Sequence, residues 1–180
     1  MTFPFAFWSS NSVTGVYMFY NKNGITINDN SAATPYPSSI TVAGMNGVTK
    51  NIVLLISGFT HFFPPDVGML LETPNGKYIT VMAQVSDGTT VSNINFNIDD
   101  AAAIPFPGAT AALTTSTSYK PTDITAGTYP FTSPAPAPNS TTMNNLTGYS
   151  PNGVWKLYVA DDSPLAAGSI SSWTLKMMTT

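Results

Sequence analysis

Apolar positions along the chain recur at a spacing of two. In the stretch from Val91 to Ile98, Ser92, Ile94, Phe96 and Ile98 point one way from an extended backbone, and Val91, Asn93, Asn95 and Asn97 the other. The first set is therefore expected to face a core. Ile25-Thr26-Ile27 and Ser39-Ile40-Thr41-Val42 alternate as well, and Val16 to Tyr20 is apolar and aromatic. Asn51 to Ile56 is a continuous apolar run, the pattern of a central strand covered on both faces. Gly68 to Glu72 and Lys77 to Ala83 flank Thr73-Pro74-Asn75-Gly76. There Pro74 presets its own φ and Asn-Gly supplies the positive φ of a tight turn. Gly153 to Ala160 and Ser169 to Met177 read as two closing antiparallel strands around a turn at Asp161 to Gly168, with Trp155 and Trp173 on their inward sets. No stretch of ten residues has helical spacing free of Pro and Gly. The pattern predicts an all-β sandwich of two antiparallel sheets.

From Asp99 to Ser150 the character changes. Ile104-Pro105-Phe106-Pro107-Gly108 and Ser133-Pro134-Ala135-Pro136-Ala137-Pro138 remove ladder donors at each proline, so this is loop and edge rather than central sheet. A crossover between two sheets, pinned by Tyr119, Tyr129 and Phe131, accounts for it; a surface role for so long an irregular stretch is the other reading. Residues 1–24 are set apart as an aromatic arm or first strand, and residues 25–180 as the sandwich. Phe3, Phe5 and Phe7 share one face of an extended arm, with Trp8 beside them. These four are the candidate interface residues. The alternative is that the arm packs on its own domain.

Length and composition fit one domain with a real core. The chain has 180 residues, 43% of them hydrophobic, and no cysteine, which excludes thiolate chemistry and sulfur-ligated metals. Charged residues are only 8%, all six basic residues are scattered lysines, and the net charge is −3. A phosphate-binding stripe is absent, so nucleic acid is not an expected partner. The apolar N-terminus has no Lys or Arg before Lys22 and contains Pro4; neither a signal peptide nor a membrane span is expected from it.

Particular residues go further. Gly153-Val154-Trp155-Lys156-Leu157-Tyr158-Val159-Ala160-Asp161-Asp162, followed by Gly168-Ser169-Ile170-Ser171-Ser172-Trp173-Thr174-Leu175, resembles the end of the P domain. That module follows the subtilisin-like catalytic domain in proprotein convertases and occurs in bacterial secreted proteins. Thr60-His61-Phe62-Phe63-Pro64-Pro65-Asp66, Leu70-Leu71, Pro74-Asn75-Gly76, Asp99-Asp100-Ala101-Ala102 and Tyr119-Lys120-Pro121 are similar to it too. The resemblance runs from about Ile25 to Thr180. It implies a jelly-roll-like β-sandwich without catalytic activity, which in convertases stabilises the protease beside it. Protease motifs are absent here, so a role other than stabilising a protease in the same chain is expected.

The residues themselves offer little catalytic chemistry. His61 is the only histidine, and no Gly-x-Ser-x-Gly elbow occurs. A structural histidine bonded to backbone is the expected role, and the chain is expected not to be an enzyme. Calcium is the candidate cofactor, since four of the nine acidic residues fall in Asp-Asp pairs. The resemblance implies a site at Asp66, Asp99 and Asp100, although Gly68 stands where relatives often carry a further Asp. The competing role for these residues is to accept backbone N–H bonds in turns. Two glycosylation sequons begin at Asn139 and Asn145.

These features together predict a structural subunit of an assembly, a homo-oligomer whose partners are protein subunits, itself and capsid proteins among them. The expected setting is a virion, as a capsid cement, decoration or tail protein. The alternative is an accessory or adhesion module of a secreted, extracellular bacterial protein, calcium-binding in that reading.

Overall fold

The computed structural model describes residues 15–180. The candidate interface residues Phe3, Phe5, Phe7 and Trp8 lie outside the described residues. In chain order the strands are β1 (Val16–Asn21), β2 (Ile25–Ile27), β3 (Ser38–Val42), β4 (Thr49–His61), β5 (Val67–Glu72), β6 (Tyr78–Ala83) and β7 (Val91–Ile98). Then come β8 (Ile104–Pro105), β9 (Thr117–Lys120), β10 (Thr122–Asp123), β11 (Gly153–Asp161), β12 (Gly168–Ile170) and β13 (Ser172–Thr179). Single 3-10 turns sit at Pro64–Asp66 and Met143–Leu146.

Two sheets face each other across one core, the sandwich that the alternation predicts. The larger runs β1-β13-β4-β7-β9-β8, with β12 on β4 and β2 on β12; the smaller runs β10-β6-β5-β11-β3. Most pairings are antiparallel, but β9 lies parallel to β7 and β8, and β10 parallel to β6. These parallel strands belong to the proline-rich crossover. Each is joined to its parallel partner by a long connection rather than a hairpin, so nothing forces the pair to run antiparallel.

β4 is the central strand of the larger sheet, between β13 and β7. Its Ile52, Leu54, Ile56 and Phe59 are buried, whereas Val53 and Leu55 are only half-buried. Among the described residues no helix layer lies over the outer face, so the apolar run packs fully on one side only. In β7, Phe96 and Ile98 are buried as predicted and Ile94 is half-buried, but Val91 is buried too. Asn93 has φ +53° and breaks the alternation between them. Across the ladder, Gly58 (φ +68°) matches it, with its N–H bonded to Asn95 Oδ1 at 2.8 Å. A side chain on Gly58 would meet Ser171 Oγ at 2.1 Å, so the bulge requires glycine.

The two closing strands are not hairpin partners. β11 lies in the smaller sheet between β3 and β5, while β13 lies in the larger sheet between β1 and β4. The connection between β11 and β12 is long enough to arch over the roughly 10 Å between packed sheets. Trp155 and Trp173 enter the core from its opposite faces, both almost fully buried. Their indole N–H groups bond Pro151 O at 2.8 Å and Ser38 Oγ at 2.9 Å.

The crossover is pinned as expected. Tyr119 stacks on Phe106 with centroids 4.5 Å apart, and Phe106 meets Phe96 edge-on at 5.5 Å. β9 belongs to the larger sheet and β10 to the smaller, so Pro121 alone carries the chain from one sheet to the other.

Candidate functional site

His61 ends β4, and Asp161 ends β11, on the facing sheet. Both side chains are fully buried, with His61 Nε2 3.0 Å from Asp161 Oδ2. The contact is short but poorly aligned as a hydrogen bond, and neither atom has another partner among the described residues. His61 Nδ1 accepts the Phe63 N–H at 3.2 Å, which leaves the imidazole proton on Nε2, facing the carboxylate. Burial holds the His61 pKa below its ordinary value, against the pull of Asp161. Asp161 Oδ1 accepts the N–H groups of Asn30 (3.2 Å) and Ser163 (2.9 Å). The pair therefore ties the two sheets at one end. An imidazole without solvent access cannot reach a substrate, so the structural role expected for His61 is the one its geometry supports.

Three more carboxyl groups gather here. Asp29 Oδ1 accepts the Ala166 N–H at 3.1 Å, and Asp162 takes Gln84 Nε2 at 3.1 Å and the Ser163 hydroxyl at 3.2 Å. Asp66, on the 3-10 turn after β4, is nearly buried. Its pKa is pushed up to about 6, foremost by burial and then by the charges of Asp161 and Asp162. Such a group binds its proton more tightly in the folded than in the unfolded chain. Its contribution to stability is therefore greatest below pH 4 and is lost as the pH rises through about 6. Replacing Asp66→Asn removes that slope. In urea titrations at several pH values, the stability of wild type minus variant should fall between about pH 4 and pH 6 and level off above.

Tyr129 closes this end from below, its hydroxyl 2.6 Å from Asp66 O and 2.8 Å from Ala160 O. The ring lies against Gly68, where a Cβ would come within 2.3 Å of Tyr129 Cε1. Glycine at position 68 thus makes room for an aromatic ring, in the place where a further carboxylate was expected in relatives.

Asp66, Asp99 and Asp100 do not come together. Leu54 of β4 pairs with Ile98, and His61 with Val91. Asp66 therefore follows one end of β4 and Asp99 the other end of its ladder, roughly 20 Å away at about 3.3 Å per residue. Asp99 Oδ1 accepts the Ala101 N–H at 2.9 Å. Both oxygens of Asp100 accept N–H groups, of Met143 and Asn144, each at 2.9 Å. Around Asp66 too, no metal-holding group of three acidic or histidine side chains occurs among the described residues. These residues do not fit one shared calcium site. Asp29 and Asp162 were not expected at this cluster, because nothing in sequence marks residues so far apart as neighbours.

The other chemically distinctive feature is β1. Among the described residues it pairs only with β13 and forms an outer edge of the larger sheet. Its sequence VYMFYN has no charge. Val16, Tyr17, Met18 and Tyr20 are exposed, and only Phe19 and Asn21 are partly covered. Asn21 Nδ2 bonds Ser39 O at 2.8 Å and fixes the strand against β3.

Known proteins bear on the fold. No curated protein matches the chain. Two solved structures are similar: the serine protease of Aeromonas sobria with its chaperone, at 13% identity and TM-score 0.43, and that protease by itself, at 12% and 0.41. Each match covers 92% of this chain and 27% of the other, so the chain spans about a quarter of their length. A family model, the proprotein convertase P-domain, matches residues 107–177, and the P domain is a non-catalytic module family. The likeness carried by Tyr119-Lys120-Pro121 and the two tryptophan strands is thereby borne out: the chain carries a P-domain-like β-sandwich.

Proposed function

We propose that the chain is a non-catalytic structural subunit that works by associating with protein partners, copies of itself included. The observation that carries this reading is the edge of β1. Natural edge strands are blunted by lysine, proline, a bulge or a covering loop, because bare backbone groups template further pairing. β1 has none of the first three, and four of its exposed side chains are large and apolar. Exposed apolar surface of this kind marks an interface. Phe3, Phe5, Phe7 and Trp8 precede β1 in the chain and belong to the same proposed contact. The setting proposed is a virion, where a cement, decoration or tail protein stabilises an assembly. Charging the edge by Tyr17→Lys with Tyr20→Lys should dissociate the oligomer in sedimentation while leaving the fold intact. An unchanged sedimentation profile would count against the edge as the contact.

The P-domain match favours a second reading, an accessory or adhesion module of a secreted protein. Here too the module acts by association. The two readings separate on what copurifies with the chain from its source: virion particles or a secreted multidomain protein.

A further inference from the structure

The irregular segment between β10 and β11 does more than cross over. Where it meets the β5–β6 turn it leaves a hollow of about 580 Å³, and a second of about 390 Å³ shares Gly76 and Tyr78 with the first. The two hollows adjoin at these residues, and the larger is a groove. Three amides, Asn139, Asn144 and Asn145, line it with Tyr78, Tyr149 and Lys77.

We propose that this groove binds an oligosaccharide. A sugar presents hydroxyls that both donate and accept, beside a flat face of C–H groups. Asparagine amides likewise both donate and accept, and tyrosine rings offer an apolar face with a polar tip. The hollow has the volume of a small-ligand cleft, and its lining of amides, hydroxyls and one lysine is more polar than an apolar ligand would favour.

The polar groups are free to bind. Asn145 Nδ2 bonds Ser140 Oγ at 2.6 Å, which leaves its carbonyl oxygen open. Asn139 accepts the Ser140 N–H and keeps its amide donors. The Asn144 amide and the hydroxyls of Tyr78 and Tyr149 bond to no other side chain among the described residues; Asn144 uses only its backbone groups. Lys77 forms no ion pair among the described residues, and its Nζ lies 6.0 Å from the Tyr149 ring centroid. A cation beside a ring suits a sugar that carries a carboxylate, whereas a single lysine is too little charge for a nucleic acid.

The wall is also held in advance. Asp100 caps the 3-10 turn at Met143 and Asn144, Thr147 Oγ1 bonds Asn144 O at 2.8 Å, and backbone bonds join Thr49 to Gly148 and Tyr149. Groups fixed before binding lose less entropy on binding. Both sequons noted in the sequence lie in this wall.

The test applies labelled full-length chain to an array of neutral and uronate-containing glycans, followed by calorimetry on the best-bound member. Binding should be seen, and a preference for uronates would assign Lys77 to the carboxylate. Tyr149→Ala and Asn144→Ala, both at exposed positions, should each weaken it roughly tenfold, the order expected for one lost ring or polar contact. Their melting temperatures should stay at wild type. No glycan above background, or binding unchanged in both variants, would overturn the proposal.

Discussion

Trp173→Ala should destabilise the fold by about 3–5 kcal/mol in urea titration, the range for truncating a large buried aromatic. Trp173 is fully buried on β13, beside the central strand β4. The void could not be filled from one side alone, because β11 brings Trp155 into the same core from the facing sheet. The indole N–H also bonds Ser38 Oγ, which accepts Asn21 Nδ2 at 3.1 Å as well. The substitution would therefore loosen the contact that holds β1 against β3. Trp173→Phe keeps most of the volume but loses that bond, and should cost less. A Trp173→Ala protein that melts within a degree of wild type would contradict the packing described.

Asp161→Ala should cost about 3 kcal/mol, as expected when one partner of a buried polar pair is removed. The loss strands His61 Nε2–H in a fully buried position and takes the acceptor from the N–H groups of Asn30 and Ser163. His61→Leu with Asp161→Leu separates the pair from its surroundings. Removing both polar partners leaves no orphaned imidazole, so the double variant should be less destabilised than the sum of the single ones. Strict additivity would mean that the 3.0 Å approach carries no coupling.

Much of the fold was legible because alternation reports directly which side of a strand meets the core. β2, β3 and the Phe96 and Ile98 end of β7 followed from it, while β5 and β6 followed from the Asn75-Gly76 turn between them. Pairing was less legible. β11 and β13 each alternate around a tryptophan, which is equally consistent with a hairpin in one sheet and with two strands facing each other across a core. The two-residue strands β8 and β10 carry no period at all. The carboxylate cluster joins Asp29, Asp66 and Asp161 from three separate segments, and only the fold makes them neighbours. Its one local signal is Asp161-Asp162-Ser163, where Asp161 caps its own turn. Asp99 and Asp100 were singled out for their acidity, yet their oxygens accept backbone N–H groups.

The central claim is association through the β1 side of the molecule. Sedimentation velocity over a hundredfold concentration range tests it most directly, with full-length chain beside a chain lacking residues 2–12. The account predicts an oligomer for the full chain and a folded protein that associates more weakly for the shortened one, which keeps the exposed side chains of β1. A full-length chain that stays monomeric at the highest concentration would contradict it.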